Sequence, residues 1–170
     1  MFTSALVAAA HYLTLALGLG AVFARGRAIR RLRQDSKSTA SLASLFLADN
    51  LWGLAAMLWI GTGLWRALGS LEKGWAWYAA NPLFWTKMSL FGGVFLLELL
   101  PMITFIRWRI ARGKKSLRVP DSALPRLQLV NDLELALILA IPLVASMTVS
   151  YTHLRAHETK ANLVCRLLLE

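Results

Sequence analysis

The sequence predicts an all-α protein, a transmembrane four-helix bundle forming a single integral-membrane domain over residues 1–170. Three observations carry that expectation. The chain is 57% hydrophobic and only 16% charged, where soluble domains average roughly 45–50% apolar residues. Its charges are grouped: only Asp49 is charged between Ser38 and Trp65, and only Lys87 and Glu98 between Gly74 and Ile106. Apolar runs of roughly 20 residues are long enough to cross a bilayer core as helices. The composition excludes a disordered chain, which needs low hydrophobicity. With Cys165 as the only cysteine, it also excludes a disulfide-stapled scaffold.

Four spans are expected, at about 2–24, 39–65, 82–106 and 127–151. The first has no basic residue ahead of its apolar run, and that run outlasts a signal-peptide core, so it reads as a retained helix. Ile29 and Leu32 among the charges that follow it let this helix continue beyond the bilayer and lie on its surface. Ser38 or Thr39 is placed to cap the second span. Asn81-Pro82 opens the third, with proline at the first helical position, where a missing N–H costs nothing. Trp75, Trp77, Tyr78 and Trp85 gather at its mouth as an interfacial aromatic belt. Pro101 and Pro142 fall inside spans three and four, where each frees a carbonyl and bends its helix unless neighbours compensate.

The connections set the orientation. Arg25, Arg27, Arg30, Arg31, Arg33 and Lys37 lie in the first, and Arg107, Arg109, Arg112, Lys114, Lys115, Arg118 and Arg126 in the third, 13 of the 19 basic residues. Short basic loops stay in the cytoplasm, so both termini are expected on the outer, periplasmic side of a bacterial inner membrane. These loops read as topology determinants resting on anionic membrane lipids. Nucleic acid is not an expected partner, because no folded domain presents the charge. A homodimer or a partner in a membrane complex is.

Ionisable residues at membrane depth are the informative ones, since each usually faces the bundle interior or a cavity. At about 1.5 Å rise per residue, His11 falls roughly 12 Å and Lys87 roughly 8 Å below the outer surface. Asp49 lies near mid-span, and Glu98 and Glu134 lie in the inner halves of their spans, with Asp132 shallower. An outer layer of His11 and Lys87 and an inner layer of Asp49, Glu98 and Glu134 are therefore expected. Lys87 and Glu98 share one helix face, close to Val94 and Pro101, and Glu134, Ile138, Ile141 and Ala145 form another. Asp49, Gly53, Ala56 and Gly63 form a small-residue stripe that would bring the aspartate into a helix contact.

Each layer has two readings. His11 is either a structural hydrogen-bonding residue or the axial metal ligand of a haem b, with His153 as a second ligand. Lys87 either snorkels to the headgroups or receives an anionic group such as a porphyrin propionate. The acidic layer either neutralises inward-turned arginines such as Arg30 or Arg107, or forms a proton or cation path. Lys87, Asp49 and Glu98 are the candidate catalytic residues. Cys165 reads as an incidental free thiol.

Ala48-Asp49-Asn50-Leu51-Trp52-Gly53 and Gly61-Thr62-Gly63-Leu64-Trp65-Arg66 resemble the second span of the bacterial membrane-protein family DUF2214. The run from Glu72 through Asn81-Pro82-Leu83-Phe84-Trp85-Thr86-Lys87 is similar to that family's most distinctive segment, and the likeness continues to Ile141-Pro142-Leu143. It implies a membrane protein and no defined activity. The family's usual first span has adjacent histidines, where this chain has His11-Tyr12. A more distant resemblance is to the HemJ-type protoporphyrinogen oxidases, four-helix haem b proteins that pair a first-span histidine with a third-span lysine. It implies His11 as axial ligand and Lys87 against a substrate or propionate, with Asp49 and Glu98 shaping proton transfer. The leading expectation is a haem- or porphyrin-associated redox membrane protein. A structural or assembly subunit comes second and a dimeric proton-coupled transporter third.

Overall fold

Among the described residues, a computed structural model places four helices: α1 (Phe2–Gln34), α2 (Thr39–Leu68), α3 (Pro82–Gly113) and α4 (Leu124–Leu167). The structure describes residues 2–68, 79–114 and 116–167, with side chains through Met147. All four helices are long and apolar enough to cross a membrane.

The helix boundaries follow from local chemistry. Asp35 ends the first basic stretch in a tight turn, its Oδ1 accepting from the Lys37 N–H at 3.1 Å. Ser38 then caps α2, its hydroxyl accepting from the Ser41 N–H at 3.2 Å. Asn81 caps α3 in extended backbone, its side chain accepting from the Leu83 N–H at 2.9 Å with Pro82 first in the helix. Helices α3 and α4 run on through Pro101 and Pro142. Of the expected aromatic belt, Trp85 is exposed and donates its indole N–H to the Ala79 carbonyl at 2.9 Å. Trp75, Trp77 and Tyr78 lie outside the described residues.

Helix α1 packs on α2 and α4, and α4 packs on α3. The bundle thus runs α2, α1, α4, α3, and α2 meets α3 mainly through long side chains. Large aliphatic residues such as Leu13, Leu47, Leu96 and Leu143 are exposed on the outside, the reverse of a soluble bundle and the arrangement that lipid permits. Two apolar clusters fill the inside. One holds Ile29, Leu32, Leu45, Phe105, Trp108 and Leu127 at the end bearing the two basic connections, termed the basic end below. The other holds Val22, Trp52, Trp59, Val94 and Ile138 toward the opposite end.

Two expectations change here. The first helix continues through its basic run to Gln34, as expected, but it turns Arg25, Ile29 and Leu32 into the bundle instead of lying on the membrane surface. Arg25, expected in a connection, is therefore helical and fully buried, 0% exposed. Of the stripe Asp49, Gly53, Ala56 and Gly63, Asp49 meets Arg25 and Gly63 meets His11 of α1, but Gly53 is exposed with nothing near its Cβ position, so the stripe is not the main packing face of α2. That face is Leu45, Ala48, Trp52, Ala55 and Trp59. The close approach is made by glycines of α1: a Cβ at Gly18 would lie 3.0 Å from the Trp52 ring. Such small residues let membrane helices draw near.

Candidate functional site

The inner acidic layer assembles as the depth argument expected, but around a cation that argument did not assign to it. Val22, Arg25, Gly26, Ile29 and Leu32 are all buried and recur at helical spacing along one face of α1. That phase aims the Arg25 side chain between the other three helices. Its Nη1 donates to both Glu98 oxygens, at 3.0 and 2.9 Å. Its Nη2 donates to Glu134 Oε2, and its Nε to Asn131 Oδ1 at 2.9 Å. Asp49 Oδ1 lies 3.5 Å from Nη1. One guanidinium fork thus ties α1 to each of the other helices, a geometry that an ammonium point charge could not reproduce.

A second guanidinium closes the cluster on its open flank. Arg109 of α3 donates to Asp49 Oδ2 at 2.7 Å, Asn50 Oδ1 at 2.6 Å and the Phe46 carbonyl at 3.2 Å. Its guanidinium carbon also stands 5.0 Å from the Phe46 ring centre, within cation–π range. This side chain bridges the thinly packed α2–α3 seam. The arginines that meet the acidic layer are therefore Arg25 and Arg109, not Arg30 or Arg107. Arg30 instead pairs with Asp132 at 3.7 Å, both about half exposed.

Burial is graded across the cluster. The side chains of Arg25 and Glu134 are 0% exposed, those of Asp49 and Glu98 are 16% and 20% exposed, and that of Arg109 is 35% exposed. Asp49 and Glu98 thus reach the surface while Glu134 sits behind Arg25. Among the described residues, Glu134 Oε1 is buried without a hydrogen-bond partner. Counted by formal charge, three carboxylates face two guanidiniums. Along their helices, Arg25, Asp49 and Glu134 stand about 14–15 Å from the basic end of the bundle.

The outer layer is arranged differently. His11 is held on α2: its Nε2 accepts from the Trp59 indole N–H at 3.0 Å, and its Nδ1 lies 2.9 Å from Thr62 Oγ1. Thr62 directs its hydroxyl to the Leu58 carbonyl at 2.8 Å, so it accepts from Nδ1–H. This pattern fits a neutral imidazole whose one free lone pair is engaged by the indole. Gly63 admits the ring, since a Cβ there would stand 3.3 Å from His11 Cε1. In this arrangement neither His11 nitrogen offers a lone pair to iron. The Lys87 ammonium lies 5.9 Å from the Phe84 ring centre, apart from the Arg25 cluster. The side chain of His153 lies outside the described residues. Among the described residues, no group of three or more His, Cys, Asp or Glu side chains is placed to hold a metal ion.

Asp49, Glu98 and Glu134 were legible because ionisable residues stand out in apolar runs. Arg25, Asn131 and Arg109 were missed. The available signal was helical register: Arg25 falls on the apolar stripe of α1, and Asn131 falls between Leu127 and Glu134 on the buried face of α4.

Residues 3–150 match the family model described as a predicted membrane protein, DUF2214. No curated protein and no solved structure gives a significant match. The family match reaches from α1 into α4 and takes in every residue of the Arg25 cluster, and on that basis the chain belongs to the DUF2214 family of predicted membrane proteins.

Proposed function

We propose that this chain is a proton-coupled integral membrane protein whose proton site is the Arg25 cluster, set in a cytoplasmic membrane with its basic end inward. The observation that carries this reading is the orphan oxygen of Glu134, wholly buried in a group where carboxylates outnumber guanidiniums by one. Net charge is costly at membrane depth, and a single proton shared among the carboxylates makes the group neutral. A proton arriving through Asp49 or Glu98 at the α2–α3 seam would free part of the Arg25 fork, which then holds the remaining carboxylates. The orientation is supported by 13 of 19 basic residues lying in or flanking the two connections at one end. The functional unit is a homodimer, with the second copy enclosing the polar seam.

A second reading, an assembly subunit, draws on the same seam: Asn50 is exposed there and bonded to Arg109, and a helix of another membrane protein would cover it. A haem protein is the third reading, and it requires His11 Nε2 to leave Trp59.

Proton flux separates them. In liposomes carrying an internal pH dye, a potassium diffusion potential should drive faster acidification with the wild-type protein than without it. Glu134→Gln should lower that flux about tenfold or more, as expected for loss of an intramembrane proton-relay group. It should also remove a protonated-carboxyl infrared band. Flux equal to protein-free liposomes, or a Glu134→Gln variant as active as the wild type, would overturn the proposal. A Soret band lost in His11→Ala would favour the haem reading instead, and a stoichiometric membrane partner in a protein without flux would favour the assembly reading.

A further inference from the structure

The basic end holds a cavity that the Arg25 cluster does not use. It opens between the α1–α2 turn and the α3–α4 connection, with a volume of about 660 Å³. Lys37, Arg112 and Arg118 line it together with the hydroxyl residues Ser36, Ser38 and Thr39. Its remaining wall is aliphatic, formed by Leu42, Leu117 and Val119, and is continuous with the apolar cluster of Ile29, Leu45 and Phe105. Among the described residues, none of the three cations is in an ion pair. The nearest acidic residue in sequence is Asp35, whose carboxylate is turned to the Lys37 backbone N–H. Arg112 is steadied by the Phe46 ring, 5.8 Å from its guanidinium carbon.

We propose that this cavity is a binding site for a phosphoryl anion. Three cations brought together from the α1–α2 turn, the end of α3 and the α3–α4 connection, with hydroxyl donors between them, suit an oxyanion that carries several acceptors. The positive end of α2, capped by Ser38, opens on the same space and adds to the attraction. The aliphatic wall is where the glycerol and upper acyl carbons of a phospholipid would rest if the phosphoryl group belongs to a headgroup. Inorganic phosphate would use the polar wall alone. The site is distinct from diffuse attraction of basic loops to a lipid surface, because it depends on these three side chains and not on the total charge.

The test uses the full-length protein in a neutral detergent, where no charged lipid surface contributes. It is titrated separately with inorganic phosphate and with short-chain phosphatidylglycerol, with short-chain phosphatidylcholine as the zwitterionic comparison, and binding is read by native mass spectrometry and by the shift in thermal unfolding. Saturable binding of phosphatidylglycerol but not phosphate assigns the site to a headgroup, and binding of phosphate assigns it to the free anion. The combined Lys37→Gln, Arg112→Gln, Arg118→Gln variant should weaken binding about tenfold or more. A control removing the same charge from the exposed Arg27, Arg31 and Arg33 should leave binding within about twofold. Two outcomes overturn the proposal: no saturable binding of either ligand to the wild-type protein, which needs no variant, or equal weakening by the two triple variants.

Discussion

Replacing Arg25 with alanine is expected to destabilise the bundle by about 3–5 kcal/mol, the range for removing one partner from a buried ion pair. The wild-type side chain satisfies Glu98, Glu134 and Asn131 at once. Without it, Glu134 loses its cation in a site with no exposure, and Glu98 keeps only its partial opening to the surface. Arg109 cannot take over, because it is bonded to Asp49, Asn50 and the Phe46 carbonyl on the far side of the seam. The loss is one of unpaired charge more than of packing, and that distinction can be tested. Arg25→Met combined with Glu98→Gln and Glu134→Gln removes the charges together and should recover much of the stability, since buried ion pairs often break even against apolar replacements. Arg25→Lys should fall between these variants, because an ammonium cannot span the same partners with a fixed fork. Unfolding of the purified proteins in mixed micelles reads all three. An Arg25→Ala protein within about 0.5 kcal/mol of wild type, the range of an ordinary surface change, would show that the cluster does not hold the helices together.

The membrane class, the spans and the acidic layer were visible in the residue order because each rests on a local contrast. A carboxylate in an apolar run is conspicuous wherever it occurs, and so is Asn-Pro ahead of one. Glu134, Ile138 and Ile141 share a face by spacing alone, and the fold buries that face. Partners across helices leave no such trace. His11 meets Trp59 and Thr62, 48 and 51 positions away, and nothing in the local spacing marks a histidine that will be bonded on both nitrogens from one that will bind iron. Arg25 was hidden for a different reason. It stands first in a run of basic residues, most of which are exposed, and a run of that composition reads as a loop. Only the apolar stripe continuing through Ile29 and Leu32 marks it as interior, and whether a boundary arginine turns in or out depends on where the neighbouring helices place their carboxylates.

Gly26→Ala is expected to cost about 1–3 kcal/mol, the usual range for overpacking a well-filled interior, although alanine is intrinsically the better helix former. The reason lies one residue beyond Arg25. A Cβ at position 26 would stand 2.6 Å from Asn131 Nδ2 and 3.7 Å from Gln128 Nε2, so the Asn131 side chain must move. That movement withdraws Oδ1 from the Arg25 Nε, where it now accepts at 2.9 Å, and leaves a buried donor unmet. Gly26 therefore serves the cluster indirectly, by letting α1 and α4 come close enough for Asn131 to orient the guanidinium toward Glu98 and Glu134. Obstruction by Asn131 entails a coupling between positions 26 and 131 that a packing effect elsewhere would not produce. In an Asn131→Ala background the obstructing amide is gone, so adding Gly26→Ala should cost less than about 0.5 kcal/mol, and the two substitutions should be strongly non-additive. If the two costs simply add, the glycine acts through some contact other than Asn131. If Gly26→Ala is as stable as wild type while the Arg25 variants are not, the fork needs no help from α4 in finding its carboxylates.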